Sequence, residues 1–419
     1  MGEKVVNNNF AFILLMILYR LGLDYVYIET ISPLFSYANF TYEPTVSSQI
    51  MSILAFCLGT VAVIPYRKDS SSFVSQSMML LYLMTYVPMT SFWWCKGQTM
   101  DFMLANIIFW MLLFGITRLI NGINLRKYIY PNERMIIFIM ILMVFVILYI
   151  SGTYANFRIH LSLDNVYDLR HEARNYNMPL IFRYIWNASD NVIPLFIIYF
   201  LGRRYKLLPW FLVFVVLLNF SIAGMKSALF KMIICVILYY WGKRDIAKYL
   251  PACFFGLITL TIIEFLINEY SLLSIMFVRR GLFMPSLLDE LFFDYVNNHG
   301  FLFYNPQQTE LTFAIGETYF NNEGMRCNNG WFTDAYINLG WIGIFIYPLF
   351  YAFLFQTCEK SFVGNNKNSI FFASFIIVMT LRSSLVTTSL LTHGLFILIM
   401  SMVFMSNTAI RNKNIINTK

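Results

Sequence analysis

The chain has 419 residues, of which 58% are hydrophobic and only 12% are charged, and its formal net charge is +8. Soluble domains carry about 25% charged residues, so the composition excludes an ordinary soluble protein and indicates a polytopic membrane protein. The net charge does not indicate a nucleic-acid partner, because most of the lysines lie in short links between apolar runs.

Hydropathy predicts an all-α membrane protein with about twelve transmembrane helices and no separate soluble domain. The expected spans, in chain order, are 10–30, 47–65, 73–94, 101–120, 134–151, 190–202, 207–223, 227–241, 249–268, 334–355, 369–387 and 391–408. The whole chain, 1–419, is therefore expected to form a single integral membrane domain.

Alternate links between these spans are rich in basic residues, and membrane proteins keep such links in the cytoplasm. The basic residues on this side are Arg67, Lys68, Arg118, Arg126, Lys127, Arg134, Arg203, Arg204, Lys206, Lys243, Arg244, Lys248, Lys360, Lys367, Arg411, Lys413 and Lys419. Both termini are therefore expected in the cytoplasm.

Two long links, 152–189 and 269–333, face outward and together carry seven arginines and no lysine. The arginines are Arg158, Arg170, Arg174, Arg183, Arg279, Arg280 and Arg326. Basic residues are normally scarce on the outer side, so these need another reason to be there. A planar guanidinium grips phosphates and carboxylates through two parallel hydrogen bonds, which an ammonium does not. The two outer loops therefore predict a site for a large anionic substrate.

The first outer loop contains the sequence YDLRHEARN, in which Arg170 and Arg174 are four residues apart. On a helix, residues at this spacing share one face. The pair could clamp a diphosphate or an acidic sugar, or it could form a solvated turn that pairs with nearby carboxylates.

The second outer loop places Arg279 and Arg280 just past the ninth span, at the depth of the lipid headgroups. They could hold a substrate anion or snorkel to anionic lipid. A surface helix is predicted over Pro285–Asn298 and is expected to lie in the membrane interface. Its apolar stripe is Leu287, Leu288, Leu291, Phe292 and Tyr295.

Four further ionisable residues lie within spans or at their outer ends: Lys226, Glu264, Asp334 and Arg382. Charge inside a membrane is costly and indicates a functional site by default. Lys226 follows Gly224 at a predicted helix start, where backbone N–H groups favour an anion. Lys226 or Arg382 could instead pair with Glu264, and Asp334 could cap the tenth helix.

Four stretches together give the chain a resemblance to a known family: YDLRHEARN, AGMKSALFK, RRGLFMPSLLDELFFDYVNNH and the run from IGETYF to NNGWFTDAYINLGWIG. The chain resembles the Wzy-type O-antigen and capsular polysaccharide polymerases, also called oligosaccharide repeat unit polymerases. The resemblance implies a glycosyltransferase C-like fold in the bacterial inner membrane, with two large periplasmic loops. It implies no metal and no cofactor, which agrees with the absence of metal-ligand spacing among the four histidines.

The reaction implied by the resemblance is block transfer between two undecaprenyl-diphosphate-linked oligosaccharides. The acceptor hydroxyl attacks the anomeric carbon of the donor, and undecaprenyl diphosphate leaves. Membrane lipid and a chain-length regulator protein are the further expected partners.

This reaction assigns roles to the candidate residues. Arg279, Arg280 and Lys226 are expected to stabilise the leaving diphosphate, and Arg382 is the alternative candidate for this role. Arg170, Arg174 and loop aromatics such as Tyr295 are expected to align the two sugars. The candidates for a general base are Asp334, Glu264, His171 and His299. A lipid-linked oligosaccharide flippase and an O-antigen ligase remain alternative functions.

Overall fold

The computed structural model describes residues 9–69, 71–160, 166–241, 246–305 and 308–405. These residues form helices and contain no strand, apart from one isolated bridge between Glu43 and Lys96. Two groups of basic residues expected on the cytoplasmic side, at 243–244 and 411–419, lie outside the described part.

The α-helices are α1 (Asn9–Val26), α2 (Ser32–Phe35), α3 (Val46–Val63), α4 (Phe73–Leu81), α5 (Val87–Cys95), α6 (Met100–Ile116), α7 (Glu133–Ala155), α8 (Val166–Arg174), α9 (Leu180–Gly202), α10 (Leu208–Ala223), α11 (Lys226–Trp241), α12 (Leu250–Asn268), α13 (Met284–His299), α14 (Gln308–Phe320), α15 (Phe332–Phe362), α16 (Lys367–Ser383), α17 (Val386–Leu391) and α18 (Leu395–Phe404). Three π-helical segments are π1 (Tyr27–Ile31), π2 (Tyr82–Tyr86) and π3 (Ser274–Phe283). Short 3₁₀ turns lie at Ser36–Ala38, Ile64–Arg67, Leu125–Lys127 and Ile246–Lys248.

The described chain divides into two compact units. Unit 1 contains the described residues of Met1–Gly122, Asp245–Gln356 and Leu381–Val386. Unit 2 contains those of Ile123–Arg244, Thr357–Thr380 and Thr387–Lys419.

Six helical stretches are long and apolar enough to cross a membrane, as a membrane protein requires. They are Asn9–Ala38, Val46–Arg67, Glu133–Ala155, Leu180–Gly202, Leu250–Asn268 and Phe332–Phe362. The other six predicted spans coincide with shorter or interrupted helices. For these six, and for the orientation of the whole chain, membrane crossing stays a prediction.

The sixth predicted span begins ten residues too late, because α9 starts at Leu180 and includes Arg183. Arg183 lowers the hydropathy of the ten missed residues, and its guanidinium donates to the Tyr176 carbonyl oxygen at 2.9 Å. Asp190, where the predicted span began, and Asn191 are buried in unit 2. Asn219 donates a hydrogen bond to Asp190 at 2.5 Å, so the polar groups are satisfied inside the bundle.

The tenth predicted span is longer than expected and is interrupted at Gly340, which has φ 56° and ψ −136°. A side chain at this position would also meet the ring of Phe301 at 2.9 Å. Glycine is therefore required here both for its backbone conformation and for the close approach.

The helix predicted over Pro285–Asn298 is present as α13, but its expected interfacial stripe is not exposed. Leu287, Leu288, Leu291 and Phe292 are all buried within unit 1, where α13 packs against α5 and α14. Because these side chains pack on protein, the expectation of an apolar face lying in lipid was wrong for this helix.

The three π segments lie together in unit 1, where π3 packs against π1, π2 and α5. Thr30 and Ser274 join their hydroxyl groups at 2.6 Å, and the rings of Tyr27 and Phe283 are 5.2 Å apart. π-Helical turns are rare and occur frequently at functional sites. This region also carries two of the arginines singled out in the sequence, Arg279 and Arg280.

Candidate anion-binding site

Arg279 lies on π3 with only 8% of its surface exposed. Its guanidinium carbon is 3.8 Å from the ring centroid of Phe35, so the cation lies over an aromatic face. The buried Nε has no hydrogen-bond partner. The next residue, Arg280, is exposed.

Arg382, near the end of α16, is 4% exposed and reaches the same π segment. Its Nη2 donates to the carbonyl oxygen of Leu282 at 3.4 Å, and its Nε has no partner. Unit 1 therefore contains two buried guanidinium groups at π3: that of Arg279, which belongs to the segment, and that of Arg382, which binds to it.

Neither of these buried arginines has a carboxylate partner among the described residues. The ion pairs there are Arg20–Asp24, Lys96–Glu290, Arg158–Glu172 and Arg203–Glu133. A buried charge without a counter-charge is costly, and a bound anion would remove that cost. Arg279 and Arg382 are thus each a candidate anion-binding group, Arg279 on π3 and Arg382 bound to the Leu282 carbonyl oxygen of the same segment.

The beginning of π3 is fixed by Glu264 of α12. Its Oε2 accepts from the Ser271 hydroxyl at 2.7 Å and from the Leu273 N–H at 3.0 Å. These bonds satisfy free N–H groups at a helix start, as a capping side chain does. Glu264 therefore supports the segment that carries Arg279, and no ion pair to Arg382 is present.

The sequence NGWFTD, residues 329–334, holds the neighbouring segments together in unit 1. Asn329 Nδ2 donates to Asp289 Oδ1 at 2.9 Å, and the Thr333 hydroxyl donates to the same oxygen at 2.6 Å. A Cβ added at Gly330 would lie 1.9 Å from the carbonyl oxygen of Leu381. The turn at 329–334, here called the clasp, thus joins α13 to the segment that carries Arg382.

Asp334 completes the clasp and is 2% exposed. Its Oδ2 accepts from the Val386 N–H at 2.6 Å, while Oδ1 accepts from Asn338 at 2.9 Å and from the Tyr347 hydroxyl at 3.1 Å. The carboxylate thus satisfies the first N–H of α17. Asp334 therefore caps α17. The sequence had instead predicted that it caps the tenth predicted span, on which it lies, or that it belongs to the functional site.

Lys226 is exposed at the first residue of α11 in unit 2, so the predicted helix start is present. Arg170 of α8 donates to the Gly224 carbonyl oxygen at 3.2 Å, and Arg174 is exposed. Arg170 therefore lies close to the turn before Lys226, as a shared site would need.

A second arginine of the first outer loop has a structural partner. Arg158 pairs with Glu172 at 2.7 Å, and the Tyr176 hydroxyl donates to the same carboxylate at 2.9 Å. Burial by itself would raise the pKa of Glu172, but the hydrogen bonds from Arg158 and Tyr176 lower it. Carboxylate pairing, which the sequence analysis considered for Arg170 and Arg174, is thus present in this loop at Arg158.

His299 and Tyr295 lie at the exposed end of α13, with parallel rings whose centroids are 4.0 Å apart. The Nδ1 of His299 is 2.9 Å from the Tyr295 carbonyl oxygen. The exposed His299 ring and the half-buried Tyr295 ring form a flat pair on which a sugar ring could stack.

Several buried charges were missed by hydropathy reasoning. Arg20 and Asp24 are both buried on α1, and Arg20 donates to the Ser52 hydroxyl. In unit 2, Lys231 donates to Asn191 Oδ1 at 2.6 Å, close to buried Asp190. The spacing of four residues between Arg20 and Asp24 was the available signal.

Comparisons with known proteins gave no relative. No protein-family model matches the chain, and neither a search of curated proteins nor a search of solved structures found a match.

Proposed function

We propose that this protein is a membrane glycosyltransferase that polymerises lipid-diphosphate-linked oligosaccharide repeat units on the outer face of the cytoplasmic membrane. The observation that carries the proposal is that the buried guanidinium groups of Arg279 and Arg382 each lack an ion-pair partner among the described residues. A diphosphate offers the compact double negative charge that such a pair would bind.

In the proposed reaction, an acceptor hydroxyl attacks the anomeric carbon of the donor and the bond to the lipid diphosphate breaks. Negative charge grows on the leaving diphosphate, where Arg279, Arg280 and Arg382 would stabilise it. Lys226 and Arg170, which lie near the same turn of unit 2, would bind an anionic group. In unit 1, His299 and Tyr295 would stack on a sugar ring.

Substitution of single arginines tests this assignment. Arg279→Ala and Arg382→Ala should each lower polymer formation by about 10²–10³-fold, because each removes a charge-assisted contact made as the bond breaks. Arg279→Lys should not restore full activity if both edges of the guanidinium are used. Arg326→Ala is the matched control, since Arg326 belongs to the same loop but is exposed.

Polymer should be measured on a glycan gel, with the amount of protein in the membrane measured in parallel. Wild-type polymer from both Arg279→Ala and Arg382→Ala, at normal protein levels, would contradict the proposal and favour contact with lipid headgroups.

A transporter of the same lipid-linked units is the second candidate function. The buried Asp190 and half-buried Lys231 favour it, because ionisable residues among membrane helices often mark a transport path. A strain without a polymerase still flips single units and attaches one to the final acceptor. A strain without a flippase or a ligase attaches none. We expect the deletion strain to show a band one repeat long, and its complete absence would favour transport or ligation.

A further inference from the structure

Asp289 is a buried carboxyl group that was not among the candidate residues predicted from the sequence. It lies on α13, is 4% exposed, and is held through Oδ1 by Asn329 and Thr333 of the clasp. Arg382 is near enough to act on it electrostatically, yet the two form no ion pair. Asp289 thus lies close enough to Arg382 to attract its charge without a direct contact.

The carboxylates first considered as proton acceptors are engaged elsewhere. Asp334 accepts three hydrogen bonds, including the one that caps α17. Glu264 accepts two at the beginning of π3. Each of these two carboxylates accepts from a backbone N–H at the start of a helical segment, so protonating it would weaken that helix start.

We propose that Asp289 is the general base of the transfer reaction, and this inference rests on the proposed function. The oxygen of the acceptor hydroxyl forms the new bond to the anomeric carbon, and its proton passes to the Asp289 carboxylate. The old bond breaks with its electron pair on the lipid diphosphate, which Arg382 and Arg279 stabilise. The proton then leaves Asp289 to solvent, so that atoms and charge balance over one turnover.

The surroundings of Asp289 suit this role. Burial raises the pKa of Asp289 to about 7, although the hydrogen bond from Thr333 and the charge of Arg382 oppose the rise. A base is most effective when its pKa lies near the working pH. Two residues on the elements packed against α13 contact other carboxyl groups of this helix. Lys96 forms an ion pair with Glu290, and the Tyr319 hydroxyl donates to Asp294. This leaves Arg382 as the charge that acts on Asp289 within the described chain.

Asp289→Asn is the informative variant, because the amide retains an oxygen that can accept from Asn329 and Thr333. The clasp should therefore survive while the proton acceptor is lost. Asp294→Asn is the matched control on the same helix, since Asp294 is exposed and bound to Tyr319. Asp289→Glu keeps a carboxylate in a displaced position.

The assay uses the full-length protein in detergent with a lipid-diphosphate-linked oligosaccharide, and it measures kcat, KM and the pH dependence of the rate. We expect Asp289→Asn to lower kcat by about 10²–10⁴-fold with little change in KM. Asp289→Glu should retain part of the activity with a shifted pH midpoint, and Asp294→Asn should behave as wild type. The wild-type rate should fall about tenfold per pH unit below about pH 7.

The outcomes separate this inference from the proposed function. An inactive wild-type protein with intact substrate would contradict the proposed function itself. An active wild-type protein would overturn the role of Asp289 if Asp289→Asn kept its kcat, or if it changed only KM. A wild-type rate that is flat between pH 5 and 8 would also overturn it, and this result needs no variant to fold.

Discussion

Substituting Gly330 by alanine should impair activity through geometry alone, since it removes no charge and no hydrogen-bonding group. A Cβ at this position would lie 1.9 Å from the Leu381 carbonyl oxygen and 2.6 Å from the Ser384 carbonyl oxygen. Both obstacles are backbone atoms, which cannot rotate away as the end of a side chain can. The segment on either side of Arg382 must therefore move.

The size of the movement follows from the contact distances. The closer contact is about 1.5 Å short of ordinary van der Waals separation. Overpacking of this kind costs about 1–3 kcal/mol in stability. A displacement of about 1 Å at a catalytic group can cost about 10²-fold in rate. We therefore expect Gly330→Ala to remain in the membrane but to form about 100-fold less polymer.

Gly281→Ala is the matched control, because Gly281 follows Arg280 directly and a Cβ there meets no atom within 4 Å. Polymer length on a glycan gel and protein amount in the membrane should be measured for both variants. If Gly330→Ala makes normal polymer, the clasp does not position Arg382 for the reaction. If Gly281→Ala is equally impaired, the effect belongs to the loop in general rather than to the clasp.

Three further predictions follow from other parts of the chain. Arg126 donates to carbonyl oxygens at the ends of α15 and α18 and to Asn365 at 2.7 Å. Arg126→Ala should therefore lower the free energy of unfolding by about 2 kcal/mol or more, as measured by thermal unfolding. Lys127→Ala, at the exposed neighbouring residue, should not lower it. Glu172 has a lowered pKa in the folded state, so it stabilises the loop above its unfolded pKa and loses this effect as the pH falls through the folded pKa. Glu172→Gln should therefore cost less than about 1 kcal/mol at pH 7, and thermal unfolding should show this cost disappearing once the pH is below the folded pKa. For topology, a cysteine introduced at Asn175 should react with a membrane-impermeant thiol reagent in spheroplasts, and one at Asn365 should not; the reverse pattern would invert the orientation.

The elements of the fold were largely predictable, because membrane helices are specified by local apolar runs. A helix lies in each of the twelve predicted stretches, and six of these helices have the length and hydropathy of a span. One error falls at α9, where the predicted span began at Asp190 and missed the ten preceding residues, which include Arg183. Hydropathy counts an arginine against a span, although the Arg183 guanidinium already donates to the Tyr176 carbonyl oxygen.

For the candidate site, the sequence by itself determined which residues were unusual: arginines without lysines in the outer loops, and Arg382 in a span. Only the tertiary structure decided which cations lack a partner. From the sequence, Glu264 could be a general base or an ion-pair partner, and Asp334 could be a cap or a site residue, until their hydrogen bonds to Leu273 and Val386 were seen. Asp289 carries no sequence signal, because its significance comes from burial beside Arg382, which lies 93 residues further along the chain. Hydropathy and spacing act over a few turns of helix, whereas a charge is paired or left unpaired by contacts that only folding creates.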